Sequence, residues 1–248
     1  MLNIYDSHLH LKLDDMHLFF EQIKLLKGFI LILNTNDELE FFRRNMITNF
    51  NENFNNSVIA INFEFIDESL INDLKNCDIK FGVKIHPRLS KLTYDSINKL
   101  KLFLQNLKNK NLLNFIIIDN FYYGSDLKYH INLELSIEIA KKFFDINILL
   151  AHSGGHRILE YMLFTRDLKN IYYDLSLTIN YLNNTSVALN FYNFIKFNKE
   201  KLLFGSDSPD FSVKSALTNY NEFLKNFDES YKKNILENNF KKFLKELK

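Results

Sequence analysis

The chain has 248 residues, of which 46% are apolar, a formal net charge of +1 and one cysteine, Cys77. Balanced charge with no basic stripe argues against a nucleic-acid partner, and a lone cysteine rules out an internal disulfide framework and fits a reducing compartment. No apolar run approaches the roughly 18 residues of a membrane span, and Met1 leads straight into a strand pattern with no signal-peptide character, so a cytoplasmic protein without a membrane partner is expected.

In chain order, short β-rich runs alternate with helical patterns. Leu2 to His8 reads as a strand. Asp14 to Lys27 has Met16, Phe19, Phe20, Ile23 and Leu26 at helical spacing. Gly28 to Leu33 is a continuous apolar run, as in a parallel strand buried on both faces. A helix over Asp37 to Phe50, a strand over Ser57 to Phe63 and a helix over Asp67 to Asn76 follow. Lys80 to His86 is a strand stopped by Pro87, and Tyr94 to Lys108 is strongly amphipathic. Strands over Phe115 to Asp119, Ile146 to Ala151, Ile171 to Leu175 and Lys201 to Phe204 are separated by helices over Leu133 to Phe144, Arg157 to Phe164 and Thr185 to Phe197. Val213 to Phe227 and Ser230 to Leu247 close the chain as helices. Eight strands alternating with helices imply a parallel sheet, and at this length a closed (β/α)8 barrel forming one domain over 1–248. An open doubly wound sheet is disfavoured because no glycine fingerprint follows the first strand.

In such a barrel the active site forms at the C-terminal ends of the strands. Those ends carry His8 and His10, then Lys84, His86 and Arg88, then Asp119, His152, Asp174 and Ser176, and finally Asp207. Of the seven histidines only His17 and His130 fall clearly elsewhere. Two imidazoles at i and i+2 share a strand face and can grip one ion, and imidazole and carboxylate are ligands for zinc, manganese and iron. Tyr122, Tyr123 and Phe211 lie in loops after strands and are candidates to line a pocket, while His156 and Arg157 read as the start of a helix.

The runs Asp6-Ser7-His8-Leu9-His10, Gly82-Val83-Lys84-Ile85-His86-Pro87, Leu150-Ala151-His152-Ser153-Gly154-Gly155 and Leu203-Phe204-Gly205-Ser206-Asp207-Ser208-Pro209 resemble the metal-dependent amidohydrolase superfamily, in the branch that holds amidohydrolase-type hydrolases and aromatic-acid decarboxylases. Glu237 to Leu244 is similar to that family's closing helix. The resemblance implies one divalent ion, zinc by preference with manganese or iron as alternatives, held by His8, His10, His152 and Asp207. It also implies Asp207 as the group that moves the proton of the attacking water, and a small carbonyl substrate (an amide, lactone or ester). The family usually places a histidine where Asp119 stands, so Asp119 is a candidate fifth ligand that would harden the site. Lys84, His86 and Arg88 are candidates to hold a substrate carboxylate or phosphate, and in some members of the superfamily a lysine at the place of Lys84 is carboxylated and bridges two metals. Decarboxylation on the same scaffold and a non-catalytic barrel with a degraded metal site are the alternatives. A TatD-like deoxyribonuclease is less favoured, since the strand-four Gly-Glu pair is replaced by Val83-Lys84-Ile85-His86. Phe243 and Leu247 on the closing helix are candidates for a homodimer contact.

Overall fold

A computed structural model describes residues 2–247. It contains eight parallel strands in the order β1-β2-β3-β4-β5-β6-β7-β8. Their ranges are β1 Tyr5–His10, β2 Gly28–Leu33, β3 Val58–Asn62, β4 Phe81–Ile85, β5 Phe115–Asp119, β6 Asn147–Ala151, β7 Ile171–Asp174 and β8 Leu202–Leu203. Helices stand between successive strands, the arrangement that parallel pairing requires. The last strand meets the first through a parallel bridge of Leu9 with Ser208, with Ser7 N donating to Phe204 O at 2.8 Å and Asp207 N to His8 O at 2.9 Å. The expected (β/α)8 barrel is thus observed, nearly closed on itself.

Period-two alternation divides each strand between two cores. One set of side chains packs against the surrounding helices, for example Leu31, Ile59, Val83, Ile116, Ile148 and Tyr173. The alternate set, including Ile30, Ile32, Ala60, Phe115, Ile117, Leu149, Tyr172 and Leu203, fills the barrel. Phe240 and Phe243 of the helix Asn239–Lys245 join this inner set, with the Phe243 ring 5.4 Å from Phe115 and 5.2 Å from Tyr172. Phe243 is fully buried, which corrects its assignment to a dimer contact: its side chain is spent on the barrel interior. Burial of that kind is worth about 1.5–3 kcal/mol for a phenylalanine. Gly82 belongs to the inner set because Phe115 lies against it, and any Cβ there would overlap the Phe115 ring.

The same alternation carries polar residues to the C-terminal mouth. Asn62, Lys84, Asp119 and Asp174 stand two residues beyond Ala60, Gly82, Ile117 and Tyr172, so each is in phase with the interior and caps it. In β1 the phase changes. Tyr5 is inside, Leu9 belongs to the outer core, and the register with β2 shifts between Asp6 and Leu9. An irregularity of this sort re-aims side chains, and here it turns His8 and His10 toward the mouth.

Several boundaries differ from expectation. β1 runs Tyr5–His10, so both histidines lie within the strand. The helix expected over Asp37 to Phe50 is broken: it spans Asn36–Asn45, and a separate turn begins after Met46. A capping box fixes its start, Thr35 Oγ1 accepting from Glu38 N while Glu38 Oε2 accepts from Thr35 N. A short helix, Ser176–Tyr181, follows β7 where none was expected. The closing segment has helices Glu229–Lys233 and Asn239–Lys245 joined by a wider π turn over Asn234–Asn238. Among the described residues no helix is long and apolar enough to cross a membrane.

Candidate metal centre and pocket

A cavity of about 520 Å3 opens at the C-terminal mouth. His8, His10, Lys84, His86, Arg88, Asp119, His152 and Asp207 all line it, together with Asn34, Glu38, Phe121, Tyr123, Tyr181 and Asp210. The expected metal-binding and substrate-binding residues therefore face one space, but they do not form one cluster.

The first cluster is His8, His10 and Asp207, whose ligating atoms lie within 4.8 Å of one another. His8 Nε2 is 3.2 Å and His10 Nε2 3.8 Å from Asp207 Oδ1. The other nitrogen of His8, Nδ1, is 3.3 Å from Asp174 Oδ2. Burial holds the His8 pKa below the usual imidazole value, with the Lys84 ammonium adding to the effect. Burial, then His8 and Lys84, hold His10 well below it. A neutral imidazole carries one proton, so the His8 ring presents a bare lone pair to one of two carboxylates. A cation between His8 Nε2, His10 Nε2 and Asp207 Oδ1 resolves that conflict, and these donor types suit zinc, manganese or iron. The residues present fit a divalent ion.

Backbone geometry holds this cluster in place. Asp207 adopts a left-handed φ of 62°. Asp6 Oδ1 accepts from His8 N at 2.9 Å and from Ser206 N at 3.0 Å, tying β1 to the segment after β8. Burial raises the Asp6 pKa to about 7.

The second cluster centres on Asp119. Its Oδ2 lies 3.2 Å from His152 Nε2, 3.5 Å from Lys84 Nζ and 3.6 Å from His86 Nε2, and its Oδ1 accepts from Phe121 N at 3.2 Å. Burial opposes its ionisation, yet His86, His152 and Lys84 together hold its pKa well below the usual carboxylate range. Asp119 is thus surrounded by nitrogen donors and is not part of the convergent His8, His10 and Asp207 set. Burial would lower the His152 pKa, but Asp119 and Asp207 outweigh it and raise it. Leu89 N donates to His86 Nδ1 at 3.4 Å, so Nε2 is the protonated nitrogen that faces Asp119. Burial brings the His86 pKa down to about 4.

His152 sits on a sharp corner after β6, where His152, Ser153, Gly154 and Gly155 have φ of 63°, 49°, 86° and 58°. A run of left-handed residues is strained for non-glycine side chains. Gly154 is required doubly, because a Cβ there would overlap the Tyr161 ring. The corner leaves the His152 ring 4.6 Å from that of His8.

Among the described residues, two cationic-group atoms in the cavity wall have no hydrogen-bond partner: Lys84 Nζ and Arg88 Nε. Lys84 is 1% exposed, and among the described residues its compensation is the 3.5 Å ion pair with Asp119, which makes no hydrogen bond. The Arg88 guanidinium lies over the Tyr123 ring, 5.4 Å from its centre. Of the aromatic residues expected at the pocket, Tyr123 lines it, Tyr122 is buried and hydrogen-bonded to Tyr161 at 3.0 Å, and Phe211 is not among the lining residues. His156 and Arg157 directly precede the helix Ile158–Phe164, as expected. Glu38 escaped the sequence reading as a pocket residue, although the Thr35-x-x-Glu38 capping signature that carries it there is visible.

No protein-family model and no curated protein matches the chain. Among solved structures, an uncharacterised TIM-barrel protein from Bordetella bronchiseptica superposes with a TM-score of 0.72 at 14% identity, over 99% of both chains. A probable 2-pyrone-4,6-dicarboxylic acid hydrolase from Acinetobacter baumannii, with citric acid bound, superposes with a TM-score of 0.68 at 18% identity, over 98% of this chain and 100% of that one. At these identities the likeness speaks for the barrel fold alone.

Proposed function

We propose that the protein is a metal-dependent hydrolase of the amidohydrolase type, acting on a small amide, lactone or ester. The observation that carries this reading is the convergence of His8 Nε2, His10 Nε2 and Asp207 Oδ1 at the mouth of the barrel, on a metabolite-sized cavity. The hydrolase name of the Acinetobacter neighbour agrees with it.

His8, His10 and Asp207 would hold the ion, with His152 and Asp119 on the adjoining wall of the cavity. When bound, a divalent ion supplies Lewis acidity that brings the pKa of a water down to about 7. Asp207 accepts the proton of the attacking water and passes it to the leaving group as the acyl bond breaks. Lys84, His86 and Arg88 stand on the β4 side of the cavity and hold a carboxylate or phosphate of the substrate, which gives the two unpartnered cationic atoms their hydrogen-bond acceptor. Phe121 and Tyr181, edge to face at 5.9 Å, supply apolar surface to the cavity wall.

Metal analysis of the purified full chain tests the reading. Near one equivalent of zinc, manganese or iron is expected, falling close to zero in the His8→Ala/His10→Ala double variant. Protein that holds no metal as isolated or after reconstitution with each of the three ions overturns it.

A further inference from the structure

Asp174 lies outside the cavity lining but touches two of the four histidines that line it, His8 and His152. It is fully buried at the end of β7. Its two oxygens divide their work. Oδ2 is 3.3 Å from His8 Nδ1. Oδ1 accepts from His152 N at 3.0 Å, from Ser176 N at 3.0 Å and from the Ser176 hydroxyl. The Ser176 Oγ in turn lies 2.8 Å from His152 Nδ1. Thr178 Oγ1 donates to the His152 carbonyl and Ser153 Oγ to the Asp174 carbonyl, so the backbone around both residues is pinned as well.

Proton counting fixes the direction of each bond. A carboxylate only accepts, so His8 Nδ1 must carry the proton that faces Asp174. That leaves His8 Nε2 as the lone pair turned toward Asp207 and His10. The Ser176 hydroxyl has one hydrogen, committed to Asp174 Oδ1, so its oxygen accepts from His152 Nδ1. His152 Nε2 then faces the cavity and Asp119 Oδ2, at 3.2 Å, and because that carboxylate too only accepts, Nε2 also carries a proton. The ligating atoms of His8, His152 and Asp174 also lie within 4.8 Å of one another. Within that grouping the hydrogen bonds already engage Asp174 Oδ1 three times and pair its Oδ2 with His8 Nδ1.

We propose that Asp174 is a single positioning residue for two pocket histidines, acting on His8 directly and on His152 through the Ser176 hydroxyl, and thereby sets which nitrogen each presents to the cavity. The proposal rests on the reading of His8 as a metal ligand only for its effect on metal affinity; the proton positions stand independently of it. The arrangement has a physical use. A ligand histidine whose other nitrogen donates to a carboxylate is held in one orientation and made more basic, and loss of such a partner typically costs 10–100-fold in metal affinity.

Long-range 1H–15N correlation spectra of the histidine rings, on the metal-free full chain, test the proton positions. In the wild-type protein His8 and His152 are both expected to be protonated at Nδ1; His8 protonated at Nε2 alone overturns the proposal without any variant. Ser176→Ala removes one hydroxyl and is expected to shift the His152 Nδ1 resonance while leaving His8 unchanged. Asp174→Asn is expected to shift both and to weaken zinc binding, measured by chelator competition, by about 10–100-fold. An unchanged His152 in Ser176→Ala, or shifts of equal size at both rings, removes the relay through Ser176. If the wild-type chain binds no zinc but shows these proton positions, the metal reading fails and the positioning role survives.

Discussion

The two sides of the cavity solve opposite electrostatic problems. On the β1–β8 side, acceptors meet acceptors: two neutral imidazole rings face the Asp207 carboxylate, and among the described residues no lysine or arginine forms an ion pair with it. On the β4–β5 side, donors outnumber acceptors: one carboxylate, Asp119, is shared by Lys84, His86 and His152, and two donor atoms on Lys84 and Arg88 are left over. The carboxylate of the first side has no lysine or arginine paired with it among the described residues, and the second side has a surplus of donors. The pair therefore suits a cation and a negatively charged substrate group placed side by side. Two histidines in the pocket shift oppositely: burial lowers His10, while the Asp119 and Asp207 charges together overcome burial and raise His152.

The sharpest way to break this comparison is to remove the carboxylate from each side in turn. On a cleaved substrate, Asp207→Asn is expected to lower kcat by about 10²–10⁴-fold, the usual contribution of a group that moves a proton. Asp119→Asn is expected to leave a bound metal in place and to act through Lys84 and His152, with a smaller fall in kcat. Steady-state kinetics beside metal content separates the two. An Asp119→Asn protein that loses its metal while Asp207→Asn retains it would reverse the assignment of the two sides.

His86 provides a smaller, pH-dependent contrast. Its folded pKa is about 4, below the 6.5 of the free side chain, mainly because it is buried. Between about pH 4 and 6.5 the unfolded chain binds a proton there that the folded chain does not, so this group adds stability as pH rises through that window and removes it as pH falls. At 1.36 kcal/mol per unit the contribution is at most about 3 kcal/mol. Urea unfolding at pH 6.5 and 4.5 is expected to show a smaller loss of stability on acidification in His86→Gln than in the wild type. Equal losses would mean that His86 is charged in the fold and that the β4–β5 side carries still more positive charge.

The barrel was legible from the sequence because alternation of strand and helix patterns is a long-range, repeated signal. Its strands in places reach the residue: Phe115 to Asp119 is observed as expected. Strand phase is also visible in the sequence once one interior residue is known, which is how Lys84, Asp119 and Asp174 come to cap the interior. The irregularity in β1 is not visible that way, because no residue between Asp6 and Leu9 marks a bulge by type. Nor was the division of the site. Spacing places His8, His10, His152, Asp119 and Asp207 at one barrel end, but the partner of each is decided by ångström-scale contacts across strands far apart in the chain, such as Asp174 with His8, 166 residues away. Phe243 misled for a related reason: a phenylalanine on a terminal amphipathic helix reads the same whether it covers the barrel floor or a second subunit.

The mildest test concerns Arg88. Its guanidinium lies over Tyr123, its Nε has no hydrogen-bond partner among the described residues, and it lines the cavity. If its work is to hold an anionic substrate group, the interaction is present in both the bound ground state and the transition state. Its loss then raises KM and leaves kcat nearly unchanged. A hydrogen bond to a charged group is worth about 1.5–3 kcal/mol, so Arg88→Gln is expected to raise KM for a carboxylate-bearing substrate by about 10–100-fold. For the matching neutral amide the same substitution should change KM little. The substrate pair matters because Arg88 also packs on Tyr123, and a general loosening of the loop would weaken both substrates equally. A KM that rises alike for charged and neutral compounds would therefore remove Arg88 from the anion-binding side and leave Lys84, with its 3.5 Å ion pair to Asp119 and no hydrogen bond, as the remaining cation there.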